Sequence, residues 1–242
     1  MYEIQLVVSG TILNMDITVV AYAALGGIVP ALVWVWFWIQ EDAKHPEPKQ
    51  LIVAAFLVGM VAVATVIPLQ KLAMVFFSGT AMVLVWAAIE EIVKFGLAYF
   101  TVLSHKAYDE PVDALIYMIT VALGFAAAEN TLFLMDPIAN NGFVESILTG
   151  NFRFLGASLL HVLSSSAVGL MLGLSFYKRK SAKFIYVLFG LILAILLHGA
   201  FNFFILNTSS NELMRIFAFV WVGLILLLIA FEHVKRITKR NV

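Results

Sequence analysis

Long apolar runs separated by short polar breaks dominate the chain. A membrane-crossing helix needs roughly 20 mostly apolar residues. Seven stretches have that length and pattern: 17–39, 51–68, 74–103, 112–135, 152–177, 184–206 and 213–231. The breaks carry turn and charge signals, such as Glu41-Asp42-Ala43-Lys44-His45-Pro46-Glu47-Pro48, Ser104-His105-Lys106, Asn140-Asn141-Gly142, Lys178-Arg179-Lys180 and Asn207-Thr208-Ser209-Ser210-Asn211. The third stretch is too long for a perpendicular span, so it tilts or begins with an interfacial turn around Leu72–Ser78. Glu3 and Asp16 precede the first span and no basic n-region is present, so that span is expected to stay in the mature protein rather than leave as a signal peptide. With no internal repeat or low-complexity segment, the pattern predicts an all-α fold. It is a polytopic membrane helical bundle of about seven transmembrane spans, built as one integral membrane domain over 1–242.

Charge orients this bundle. With the C-terminus in the cytoplasm, the inner segments hold 11 of the 15 Lys and Arg residues, among them Lys44, Lys49, Lys106, Lys178, Arg179, Lys180, Lys183, Lys239 and Arg240. The outer segments hold Lys71, Arg153 and Arg215, and Lys94 lies inside a span. Positive residues accumulate on the cytoplasmic side, so the N-terminus is expected outside. Trp34, Trp36 and Trp38 then fall at the cytoplasmic end of the first span, where an aromatic belt would sit.

Composition narrows the function classes. The chain is 62% hydrophobic and 12% charged, against ~25% charged in soluble domains, which excludes a soluble enzyme and a disordered chain. The absence of cysteine excludes a disulfide scaffold and a thiolate metal site. Lys and Arg balance Asp and Glu at 15 each, so no nucleic-acid partner is expected. The lipid bilayer is the one partner that composition demands.

Six ionisable side chains fall inside spans: Glu90, Glu91, Lys94, Glu129, His161 and His198. A charged group at a helix centre costs roughly 2.5–3.5 kcal/mol on insertion scales. Any one of them can be explained as a buried pair holding helices together. All six, spread over four spans, are harder to explain that way. Counting along helices at ~1.5 Å per residue places Glu129, His161 and His198 ~9, ~14 and ~12 Å below the outer face. Glu90 joins that depth if the third span starts in the interface. One cavity opening outward therefore accommodates the whole set.

Spacing adds roles. Glu90 and Lys94 are i,i+4 and Glu91 and Lys94 are i,i+3, so the lysine can neutralise part of a carboxylate pair. Adjacent carboxylates in a low dielectric resist ionising together, and a carboxylate so perturbed suits general-base work. His198 and Asn202 share a face, and an amide beside a histidine can orient water and stabilise an oxyanion. Phe125 and Glu129 share a face, with Asn130 next to them and the small residues Gly124, Ala126, Ala127 and Ala128 around them. Ser164, Ser165 and Ser166 after His161 read as packing serines rather than nucleophiles, since no Gly-x-Ser-x-Gly elbow is present. Two histidines and glutamates can bind Zn, but without a His-Glu-x-x-His signature, spacing neither supports nor excludes a metal. Asp109, Glu110 and Asp113 around Pro111 mark a helix start. Asn207-Thr208-Ser209 matches a glycosylation sequon, read here as chance. The basic loop Lys178–Lys183 and the C-terminal tail are topology signals that can also meet anionic lipid.

The ordered set Glu90-Glu91-Ile92-Val93-Lys94, Gly124-Phe125-Ala126-Ala127-Ala128-Glu129-Asn130, His161 and His198-Gly199-Ala200-Phe201-Asn202 resembles the PrsW family of intramembrane proteases. Asp109-Glu110-Pro111-Val112-Asp113 is similar to that family too. The resemblance covers a motif core of about 86–203. It extends distantly to CAAX prenyl endopeptidases, which carry Glu-Glu-x-x-x-Arg, Phe-x-x-x-His and His-x-x-x-Asn. Here the basic residue comes one position early, at Lys94, and Phe125 is followed at i+4 by Glu129. His161 stands where that group's first histidine would, with Ala157 at its Phe position. These departures favour PrsW.

The resemblance implies an intramembrane endopeptidase that cleaves a membrane-anchored protein, such as an anti-sigma factor, with glutamate-activated water. It implies Glu90 as general base, Glu91 as a second acid or tuner, and His161 and His198 as orienters of water and carbonyl. Asn202 with His198 would stabilise the oxyanion, while Lys94, Glu129, Asn130 and Phe125 support the site. No cofactor is expected, with Zn on Glu90, His161 and His198 left open, and the location implied is a prokaryotic cell membrane. Two other readings compete. Buried Glu/His/Lys sets also serve proton-coupled transporters and channels, although no inverted repeat is visible. A non-catalytic scaffold would keep the same residues for packing.

Overall fold

The computed structural model describes residues 16–41, 45–207 and 213–238. Glu3, Asp42, Lys44, the Thr208-Ser209 part of the sequon, Lys239 and Arg240 lie outside the described residues. Among those described, seven α-helices follow one another: α1 (Ile17–Glu41), α2 (Lys49–Ala73), α3 (Gly79–Ala98), α4 (Asp113–Asn141), α5 (Phe143–Leu174), α6 (Lys180–Asn207) and α7 (Leu213–Lys235). The fold is an all-α bundle. Six of the helices are long and apolar enough to cross a membrane. The seventh, α3, has the length but carries Glu90, Glu91 and Lys94.

Helix boundaries depart from the expected spans at informative places. α2 does not stop at Pro68 but runs through it to Ala73. A proline inside a span is tolerated because neighbouring helices meet the backbone groups it frees. The expected turn before the third span exists at Met74–Ser78, where α3 starts at Gly79 with φ +58. Past Ala98 the same helix widens into a π-turn, Tyr99–Leu103. α5 begins at Phe143, well before 152, separated from α4 by Gly142 alone, whose φ is +79. Only glycine takes such backbone angles without strain.

α4 is the axle of the bundle. Every residue from Asp113 to Ala127 is buried, as expected of a helix apolar on all sides. α1, α2 and α5 pack around it. Small residues let the backbones touch: a Cβ on Gly124 would lie 2.0 Å from the Phe56 carbonyl oxygen, and one on Gly59 would lie 2.1 Å from that of Val121. α3 lies against α2 and α6, where Leu84 closes over Gly199.

The first tryptophan cluster divides. Trp36 faces outward, whereas Trp38 is buried against Phe231 at 5.5 Å between ring centroids. Residues two apart on a helix point in nearly opposite directions, so the belt expectation fails for Trp38. The Asp109–Asp113 segment does begin α4, but the Asp113 carboxylate turns back to accept the Asp109 and Glu110 N–H groups at 3.0 and 2.7 Å. Burial, reinforced by Asp113, pushes the nearby Tyr108 phenol up from its ordinary range. Across the same end, Tyr117 donates to Glu47 and His45 meets Glu110 at 3.5 Å.

Candidate active site

α3 enters the bundle with an apolar first half, then presents Glu90, Glu91 and Lys94, all buried. Helical spacing alone gave Lys94 two candidate partners, and the structure selects Glu91. Lys94 Nζ lies 2.6 Å from Glu91 Oε1, with neither side chain exposed. The same oxygen accepts Ser164 Oγ at 3.0 Å and faces His198 Nδ1 at 2.8 Å, while Glu91 Oε2 accepts Ser165 Oγ at 2.8 Å. Glu91 thus joins α3, α5 and α6, with three donors converging on Oε1 and one on Oε2. Ser164 and Ser165 do more than pack, contrary to expectation. They lie one turn past His161 on α5, where i+3 and i+4 spacing brings them onto its face.

Glu90 is the opposite case. Its Oε1 accepts a hydrogen bond from Gln70 Nε2 at 2.9 Å. Its Oε2 is buried and has no hydrogen-bond partner among the described residues, and it lies 3.5 Å from His198 Nε2. Unpaired buried carboxylate oxygens are rare because leaving one unsatisfied is costly. The His198 tautomer follows from its other nitrogen. A carboxylate oxygen accepts, so Nδ1–H donates to Glu91, which in the neutral imidazole leaves the Nε2 lone pair on the Glu90 side.

His161 has the complementary arrangement. Lys94 Nζ lies 3.1 Å from its Nδ1, and Glu129 Oε2 lies 2.8 Å from its Nε2. A lysine ammonium only donates, so Nδ1 accepts and Nε2–H points to Glu129. The His161 ring also packs on Phe125 at 5.0 Å and meets the His198 ring edge-on at 5.0 Å. Lys94 Nζ sits 4.7 Å from the Phe125 centroid, within cation–π range. Glu129, 14% exposed, is the most accessible member of this cluster.

The structure therefore brings together Glu90, Glu91, Lys94, Phe125, Glu129, His161 and His198 from α3, α4, α5 and α6. Asn130 stands beside the cluster and ties α4 to α5 through Ser158 Oγ at 2.9 Å. Asn202 is buried one turn beyond His198 on α6, and among the described residues it bonds to no member of the cluster. Sequence reasoning missed Gln70, Ser164 and Ser165 as partners of the two glutamates.

Glu90, His161 and His198, the three residues singled out from sequence, each offer a ligand atom within 4.8 Å of one another. Glu90 Oε2 and His198 Nε2 are unspent, and His198 is backed by a carboxylate, as metal-binding histidines commonly are. His161 joins them by giving up one of its two ring-nitrogen contacts, to Lys94 or to Glu129. The cluster can hold a metal ion.

Residues 47–230 match the family model described as PrsW family intramembrane metalloprotease. Among curated proteins, the chain is 29% identical over 184 residues to the protease PrsW of Geobacillus kaustophilus, covering 74% of this chain and 78% of that protein. To the Bacillus subtilis protease PrsW it is 26% identical over 206 residues, covering 82% and 90%. To the Clostridioides difficile protease PrsW it is 27% identical over 188 residues, covering 74% and 77%. No solved structure matches the chain.

Proposed function

The chain belongs to the PrsW family of intramembrane proteases, and on that premise we propose that it hydrolyses a peptide bond of a membrane-anchored protein with a water activated at Glu90. It is an integral membrane hydrolase. The observation that carries the finer reading is the buried, unpartnered Glu90 Oε2 opposite His198 Nε2 at 3.5 Å. A water beside these two atoms can give a hydrogen bond to each, leaving its lone pair free to attack. Glu90 Oε2 takes the proton as the water adds to the carbonyl carbon, and returns it to the departing amine nitrogen. Asn202, whose amide N–H groups can donate, lies on the His198 face to meet the developing oxyanion. Glu91 holds His198 in the required tautomer. Lys94 does the same for His161, which stands with Glu129 toward the mouth of the site. If Glu90, His161 and His198 hold a Zn ion, it supplies Lewis acidity to water and carbonyl.

One integral domain with seven spans, N-terminus outside and C-terminus cytoplasmic, fits the Lys/Arg distribution and puts the site in the outer half of the membrane. A single-span substrate would then be cut near its outer boundary. The resemblance points to a regulator such as an anti-sigma factor as the substrate. The test is cleavage of single-span reporters by the purified full chain, with and without a strong chelator. Loss of cleavage in Glu90→Gln and His198→Ala, with wild type resistant to chelation, supports glutamate activation without metal. Chelator loss restored by Zn makes the same residues ligands. Wild-type cleavage by both variants overturns the assignment.

A further inference from the structure

Gln70 belongs to no motif considered above. It is the one polar residue on the buried stripe of α2, which otherwise reads Ile52, Ala55, Phe56, Gly59, Ala62, Val63, Val66 and Ala73. It sits two residues past Pro68 in the last turns of the helix. Its Nε2 donates to Glu90 Oε1 at 2.9 Å. Its backbone carbonyl accepts the Trp86 indole N–H at 3.4 Å and the Met74 N–H at 3.1 Å. Trp86 and Glu90 are one turn apart on α3. The end of α2 is thus pinned to α3 at two successive turns, once through backbone and once through the Glu90 carboxylate.

We propose that Gln70 is a positioning residue for the proteolytic reaction: its amide occupies Glu90 Oε1, fixes the plane of the carboxyl group and so aims Oε2 at His198. The terminal torsion of a glutamate is broad and roughly two-fold, so an unanchored Glu90 would rotate, and packing alone does not choose its plane. The amide bond does, because only one oxygen can face Gln70 while the other faces α6. Gln70 acts through Glu90 and touches neither water nor peptide. This inference rests on the proposed role of Glu90.

The test uses the full chain in detergent. Gln70→Met keeps the side-chain length and removes the donor; Gln70→Leu removes it with a shorter, branched side chain. Partners that orient an active-site ligand typically contribute about 10–100-fold in activity or metal affinity. Both variants are expected to lose about that factor in kcat with KM unchanged. Their Zn2+ affinity, titrated in competition with a chromophoric chelator and without substrate, should fall in parallel wherever wild type binds Zn2+. Ile52→Ala, which removes buried apolar volume from the far end of α2, should lower the melting temperature and leave kcat and Zn2+ affinity intact. If Gln70→Met misfolds, Gln70→Leu decides. Wild-type kcat in a folded Gln70 variant overturns the proposal, as does a loss that Ile52→Ala reproduces at equal destabilisation. Wild-type kcat in Glu90→Gln instead removes the parent reading, and this one with it.

Discussion

The two adjacent glutamates should separate when each is replaced by glutamine. Glu91 receives four donors from three helices, including the buried Lys94 ammonium at 2.6 Å. Glu91→Gln preserves shape but removes the charge that balances Lys94. Breaking a buried ion pair from one side costs about 3–5 kcal/mol. The amide oxygen can still accept from some of the donors, recovering about 1 kcal/mol. The net loss is about 2–4 kcal/mol, or roughly 30- to 1,000-fold in the unfolding equilibrium. Glu90→Gln loses far less. Its new amide oxygen can still accept from Gln70, and its Oε2 has no hydrogen bond to lose, so the change should stay within about 1 kcal/mol. Unfolding midpoints in mixed detergent–dodecyl sulfate micelles, read alongside reporter cleavage, check both. Glu90→Gln should be folded and inactive, whereas Glu91→Gln should lose activity together with stability. Equal midpoints, or a less stable Glu90→Gln, would refute the division between a structural and a chemical carboxylate.

Lys94→Met should destabilise the chain by about 3–5 kcal/mol for the same reason. Combined with Glu91→Gln it should cost clearly less than the sum of the two single changes, a coupling that a double-mutant cycle of unfolding midpoints measures. Gly124→Ala forces a Cβ to 2.0 Å from the Phe56 carbonyl oxygen and should cost about 1–3 kcal/mol or more, with reduced cleavage because Phe125 moves with it. Gly96→Ala, where a Cβ would meet nothing within 4 Å, should be neutral or stabilising by about 0.5–1 kcal/mol in the same unfolding assay.

Most of the scaffold was legible from the chain because a bilayer demands long apolar runs, and those runs tolerate few alternative structures. The turn before α3 was legible too, since a 30-residue run overshoots the membrane. The polar cluster could be read from depth: residues placed at one level on four spans proved to touch. Hydrogen-bond assignments could not be read. Spacing let Lys94 serve either glutamate, and only the approach of α5 and α6 decides for Glu91. The serines after His161 had the right spacing but no visible partner until α3 was in place. Gln70 escaped for a different reason. Pro68 reads as the end of a span, which left Gln70 in a presumed loop, and only the packed neighbours that let α2 continue to Ala73 bring it to Glu90. Trp38 looked like its neighbours Trp34 and Trp36, and only the packing of Phe231 shows that it faces inward.

The seal over the site bears on how such an enzyme keeps from harming its own membrane. Glu90 and His198 are each 2% exposed and Asn202 only 8%. No peptide bond reaches them while α3 lies on α6, with Leu84 closed over Gly199. A passing transmembrane segment therefore meets a closed wall of side chains, not a waiting nucleophile. On the proposed function, cutting would wait for α3 and α6 to part and for a span that uncoils there. Selectivity would then come from timing and from the substrate's own helical weakness, with stable spans spared without being recognised.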